Sequence, residues 1–264
     1  MFSNNPFAEL SLLIPSIYQQ VFTILMILLV IIGTSLDIIH KKNVKYFFAN
    51  AKKAKQQAKR TLNQSQKTKV ILKTVTNEIL TTSELGLGKR RIAHLLGMYG
   101  TILFWITSVI MIFLYPLPTY NTPIVYTFLW HIGALMTCLG GYWFWFFLRV
   151  DVAAEANPWY RLVQADLFVL ALVLTASFAL AWSFFQFLNF NTLELIFLLL
   201  FLISNIFLFG GVYWSKFAHM FYKPGAAIQR NLAEADGSRD NLPEPADKPK
   251  QFGLGIKREA PKHY

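Results

Sequence analysis

Four of the five histidines in this chain stand in or at the ends of long apolar stretches: His40, His94, His131 and His219, with His263 in a polar tail. Taking an imidazole into a bilayer costs free energy, so each of the four points either to a function or to a packing hydrogen bond. His94 follows the basic run Lys89-Arg90-Arg91, and His219 stands in "WSKFAHMFYKP", between Lys216 and Lys223. Two histidines on different helices at one depth are what a bis-histidine haem b requires, each giving one nitrogen to iron from opposite faces of a flat ring. Gly97 and Gly100 follow His94 at i+3 and i+6, and Gly210 and Gly211 precede His219. Small residues there would let a macrocycle approach the backbone. Phe104, Trp105, Phe217 and Phe221 offer rings to pack on a porphyrin, and Arg90, Arg91, Lys216 and Lys223 offer cations to its propionates. The competing reading is that His94 and His219 are interfacial side chains that snorkel to water.

His131 lies about two turns inside its apolar stretch, with no second histidine at its depth. A hydrogen bond between packed helices accounts for it, and ligation of a metal is the alternative. His40, beside Lys41 and Lys42, reads as interfacial, at the right depth to be a substitute ligand. Asp37 and Asp166 sit near the same edge, either to pair with basic residues or to relay protons.

The elements that must position these residues are helices in a membrane. The chain has 264 residues, of which 55% are hydrophobic and 15% charged. Its mean hydropathy is +0.40. A soluble protein carries roughly 25% charged residues. The expectation is an all-α polytopic membrane protein with five transmembrane helices, at about 16–39, 92–115, 124–148, 162–187 and 193–217. The first run is too long, and lacks the preceding basic residues, for a cleaved signal peptide.

Charge gives the topology. Fourteen Lys and Arg lie between Lys41 and Arg91, two are Arg149 and Arg161, and nine run from Lys216 onward, which accounts for all 25. Residues 1–15, 116–123 and 188–192 have none. With five spans this places the N-terminus outside and the C-terminus in the cytoplasm. The organisation follows: an outer N-terminus and first helix over 1–40, a partly helical basic cytoplasmic loop over 41–91, a four-helix transmembrane core over 92–217, which is the haem-binding core if His94 and His219 are ligands, and a cytoplasmic tail over 218–264, mostly disordered after about 230. The basic loop is either topogenic charge on a solvated helix or a surface for anionic lipid or an acidic partner subunit. The net charge of +11 is confined to one side of the membrane and does not imply nucleic acid. One cysteine, Cys138, excludes an intrachain disulfide and a four-cysteine iron–sulfur cluster within this chain.

Four stretches together resemble the nitrate-reductase gamma-like membrane cytochromes. That group includes the membrane cytochromes of the quinone-interacting oxidoreductase complex, of the sulfite-reduction-associated complex and of heterodisulfide reductase. "SKFAHMFYKP" resembles the end of their last span and "KRRIAHLLGMYG" their second, while "HIGALMTCLGG" with Arg149 and "QADLFVLALVLTAS" are similar to their third and fourth. The similarity covers about residues 85–230.

The resemblance implies a haem b protein that exchanges electrons between quinone and a cytoplasmic iron–sulfur or flavin partner subunit in the cell membrane. It makes His94 and His219 the axial ligands. Relatives with a second haem carry ligands where this chain has Phe104 and Phe201, and phenylalanine cannot ligate iron. The resemblance therefore implies one haem b and leaves a second in doubt. The rival expectation is a membrane anchor that recruits a cytoplasmic partner through its basic loop. A transporter is a third class, but no inverted repeat and no pair of broken midspan helices supports it.

Overall fold

In a computed structural model the chain is described except for residues 42, 86–87, 151–157, 216, 218, 239–250, 253–255 and 258–264. Of residues 41, 43–44, 46, 84, 165, 219, 251–252 and 256–257 only the backbone is described. The described residues form nine α-helices: α1 Pro6–Leu10, α2 Ser16–Lys41, α3 Asn43–Gln56, α4 Gln64–Thr74, α5 Lys89–Leu114, α6 Ile124–Trp143, α7 Leu167–Phe187, α8 Asn191–Gly210 and α9 His219–Ala235. The expected all-α class holds. Five helices are long and apolar enough to cross a membrane: α2, α5, α6 with its π-helical continuation to Leu148, α7, and α8 with the 3-10 turn that follows it to Tyr213.

Span ends differ from the sequence reading where a local feature overrides apolarity. α5 starts at Lys89, because Gly88 takes an extended N-cap conformation (φ −157°, ψ 176°) and the basic run then enters the helix. α7 starts at Leu167 rather than at 162, because Arg149 holds residues 158–166 as a strap that ends in the 3-10 turn Gln164–Asp166. α8 stops at Gly210; the Gly210-Gly211 pair and a 3-10 turn release the chain before His219. His219 therefore opens a separate helix instead of closing the last span. That helix runs to Ala235, five residues into the stretch assigned to a disordered tail. The rest of that assignment falls mostly outside the described residues.

α5 and α6 form the tightest pair. A Cβ on Gly100 would stand 2.6 Å from the Thr137 nitrogen, one on Gly133 2.6 Å from the Phe104 nitrogen, and one on Gly140 2.5 Å from both the Ala93 oxygen and the Gly97 nitrogen. Glycine at these three positions is what lets the two backbones meet, the packing that apolar solvent favours. α7 and α8 form the second hairpin, and α6 packs on α7. The outer members, α5 and α8, touch chiefly through large rings, Trp105 on Phe209 at 5.2 Å between centroids. α2 lies across that opening. It approaches closely at Gly33, where a Cβ would meet Val212 Cβ at 2.8 Å.

Each end of the bundle is closed differently. At the end near the N-terminus, α1 is tucked into the helices. Asn5 caps it through Phe7 N and Ala8 N (3.0 and 3.2 Å), and Pro6 is the first helical residue. The Asn5 side-chain amide then donates to Tyr115 O and Thr122 Oγ1 (3.0 and 3.1 Å). Phe7 packs edge-on between Trp130 and Trp182. At the other end, α9 packs on α3, α4 and the π-helical turn Val75–Leu80. Arg230 Nη2 donates to Glu78 Oε2 (2.6 Å), and Asn231 Nδ2 to Thr74 Oγ1 and Glu78 Oε1 (2.9 and 2.7 Å). The basic loop is thus largely helical and joins α9 in one layer.

The glycine contacts make a paired test. Gly133→Leu should destabilise by about 1–3 kcal/mol or more, since its neighbours are backbone atoms that cannot turn aside. Gly97→Ala should be neutral or stabilise by up to about 1 kcal/mol, since nothing stands within 4 Å of its own Cβ position. Thermal unfolding of the two variants in one detergent reads both; equal melting temperatures would refute the account of the α5–α6 contact.

Candidate functional site

Because α5 and α8 do not close on each other, a cavity of about 560 Å³ remains under α2. Its walls come from α1, α2, α5, Trp182 of α7, α8 and the start of α9. It is long. On α8 the lining runs from Leu198 to Phe209, about 16 Å of helix. Phe7 and Leu10 of α1 are in the wall at one end, and Phe217, Met220 and Phe221 at the other. Nearly all of this wall is hydrocarbon or aromatic ring. The lining is interrupted by a few polar side chains, among them Gln19 and Asn205.

The geometry of those two amides matters. Asn205 is buried, and its Nδ2 donates to Phe201 O (2.8 Å). Gln19 Nε2 donates to Phe7 O (3.0 Å). A carbonyl can only accept, so each amide nitrogen gives one of its two N–H donors to the backbone, and its second N–H and its side-chain oxygen are the groups with which each residue could meet a ligand. Such a site suits a long apolar molecule carrying a hydroxyl or carbonyl head. The sequence reading passed over Asn205, although an amide inside "FLLLFLISNIFLFG" was a visible signal.

Of the residues assigned to haem b, Phe104, Trp105, Phe217 and Phe221 all line this one cavity. Phe217 stacks on Trp105 (6.0 Å, 16°) and meets Phe168 edge-on at 5.3 Å. His94 is exposed on α5 and is not in the wall. Gly100 beside it faces α6 rather than open space, and Gly97 lies against Gly140 of that helix. The His219 backbone begins α9 next to the lining residues Phe217 and Met220; its side chain, like the whole of Lys216, lies outside the described residues. Arg90 is half-buried in the first turn of α5, Arg91 Nε donates to Thr81 O (2.8 Å), and Lys223 is exposed on α9. Phe104 and Phe201, the positions relevant to a second haem, are buried against Trp130 and Trp182 (5.3 and 5.7 Å). Among the described residues no three His, Cys, Asp or Glu side chains are grouped to hold a metal ion.

His131 makes the hydrogen bond between helices. It is fully buried, with Nδ1 2.7 Å from Thr127 O and Nε2 2.8 Å from Ser183 Oγ on α7. Facing a carbonyl, Nδ1 carries the proton, so in the neutral ring Nε2 accepts from the Ser183 hydroxyl. Both nitrogens are engaged, and a metal would have to displace Ser183.

Asp166 pairs with Arg149. The guanidinium is fully buried and forks onto both carboxylate oxygens. It also donates to Pro158 O (2.8 Å) and Arg161 O, and its Cζ lies 4.4 Å from the Trp145 ring centre. Asp166 Oδ2 accepts in addition from Val163 N (2.9 Å). A buried charge requires such a full set of partners. Asp37 is buried on α2 near Tyr222 of α9. Burial first, and then that carboxylate, push the Tyr222 hydroxyl up to about 12. His40 donates from Nδ1 to Leu36 O (3.0 Å) and meets the Tyr213 ring edge-on.

No protein-family model, no curated protein and no solved structure matches this chain. The resemblance over about residues 85–230 thus stands on the residues quoted for it.

Two substitutions test the polar contacts inside the bundle. Asp166→Asn leaves a buried cation without its counter-charge and should cost about 3–5 kcal/mol. Ser183→Ala leaves one imidazole nitrogen unsatisfied and should cost about 1–3 kcal/mol. Both are read as unfolding in detergent, and an unchanged Asp166→Asn protein would show that Arg149 is not held by this pair.

Proposed function

We propose that the chain is a quinone- or quinol-binding membrane subunit of an electron-transfer complex in the cell membrane. The cavity under α2 carries this reading. Its length and apolar wall suit an isoprenoid tail, and the Asn205 and Gln19 amides, through an oxygen and a second N–H each, would hydrogen-bond a quinol or quinone head. Electrons would come from or go to a docked cytoplasmic subunit with iron–sulfur or flavin centres. The positive-inside pattern supports the basic layer of α3, α4 and α9 facing that subunit.

Haem b is the second part of the reading, and the fit is divided. Four aromatics assigned to a porphyrin share the cavity wall, and His219 begins the helix at its end, which fits. His94, exposed and outside the wall, does not fit as the partner ligand, and α6 fills the space beside Gly100. A non-catalytic anchor is the second reading, favoured by the packing of the basic loop with α9 into an ordered helical layer.

Two measurements separate these. Trp105 and Trp182 line the cavity, so decylubiquinone should quench the intrinsic fluorescence saturably. Asn205→Leu should weaken binding about 2–10-fold, the share of one hydrogen bond, and Leu202→Trp, which fills the cavity, should abolish it. Non-saturable quenching, or equal affinity in all three proteins, would remove the quinone reading. The cytochrome part requires a b-type reduced-minus-oxidised spectrum at one haem per chain, lost in both His94→Ala and His219→Ala. Protein made with ample haem and carrying none would leave the anchor, with or without its quinone site.

A further inference from the structure

A second cavity lies in the basic layer, away from the first. α3 and α9 run side by side. Gln229 Nε2 donates to Phe47 O (3.5 Å) near one end, and the backbone N–H groups of Lys59 and Arg60 both donate to Asp236 O (3.0 Å each) at the other. Between them is a groove of about 680 Å³. Its floor is small and apolar: Ala51 and Ala54 from α3, with Ile228 and Leu232 from α9. Its rim carries Lys55, Arg60 and Lys67, all exposed. The rim belongs to a stretch with no Asp or Glu between Lys41 and Asn77.

We propose that this groove docks an acidic amphipathic helix of a partner protein. The floor of alanines would admit a helix closely, along an apolar stripe at i, i+3, i+4 and i+7. Lys55 and Lys67 on the rim would meet carboxylates flanking that stripe and set its register, which is where complementary charge acts. A flat headgroup layer cannot enter a concavity between two helices, so the floor distinguishes this partner from an anionic membrane. The proposal rests on the docking part of the functional reading and not on the cavity under α2. Failure of quinone binding leaves it standing, and its own failure leaves quinone binding standing.

The test uses the full chain in a neutral detergent and a fluorescein-labelled helical peptide built of Glu and Leu at amphipathic spacing, read by anisotropy. Binding should be saturable and weaken with salt. Lys55→Glu with Lys67→Glu should lower affinity at least tenfold. Lys52→Glu with Lys73→Glu reverses the same charge at exposed positions outside the groove wall and should lower it less than threefold. Ala54→Trp, which fills the floor, should lower it at least tenfold while keeping both charges. All three variants are first checked for unaltered melting; should Ala54→Trp unfold, Leu62→Ser at the groove edge replaces it with the same expected direction. Equal losses in the two charge-reversed proteins, full binding to Ala54→Trp, or complete displacement of the peptide by phosphatidylglycerol nanodiscs would each overturn the proposal.

Discussion

Backbone meets backbone between α5 and α6 at Gly100, Gly133 and Gly140, and the rest of the bundle follows from that closeness. In hydrocarbon no solvent drives apolar side chains together, so helices associate where they can pack most closely. The glycines provide this on one side of the row. On the other side nothing equivalent joins α5 to α8. Trp105 and Phe209 meet there through their rings, and α2 packs on both helices across the gap. A tight edge and an open edge in one four-helix row produce the cavity. Its aromatic wall is a consequence of the same asymmetry, since large rings stand where small residues are missing.

Buried polar groups obey a stricter rule than apolar ones. Away from water, each must find its partner inside the protein. Arg149 does so with Asp166 and two carbonyls, and in doing so keeps residues 158–166 from joining α7. His131 does so with Thr127 and Ser183, and fixes α6 to α7 near the end where α1 is inserted. These groups are spent on architecture. Asn205 and Gln19 differ from them, because each gives only one amide N–H to the backbone and lies in the cavity wall.

What could be read in the sequence was whatever depends on apolar length: five spans, their order, and third-span bounds that the structure matches at Ile124–Leu148. His131 as a packing hydrogen bond was also legible, because an isolated imidazole among apolar residues has few other fates. Of the glycines, Gly100 meets α6, while nothing stands within 4 Å of the Cβ position of Gly97, Gly210 or Gly211. Spacing along one helix shows which residues share a face and never what packs against it. The break at Gly210-Gly211 was hidden because Val212, Tyr213, Trp214 and Phe217 continue the apolar run that a composition window measures. α1 was invisible for the opposite reason. Five helical residues carry no period, and their stability comes from Phe7 between two tryptophans.

The α9 helix connects the two ends of the functional argument. Its first residues, Met220 and Phe221, are in the wall of the membrane cavity, and its later ones, Ile228 and Leu232, are in the floor of the basic groove. Pro224 stands between these two parts, and a proline inside a helix removes one backbone hydrogen bond and favours a bend there. The helix is held by Glu78, through Arg230 and Asn231, on its groove half, and by aromatic contacts at Phe217 and Phe221 on its cavity half. A molecule in either cavity would therefore lie against the same helix, on one side or the other of the proline. Any coupling between partner docking and ligand binding in the membrane has this one short element as its most direct physical route.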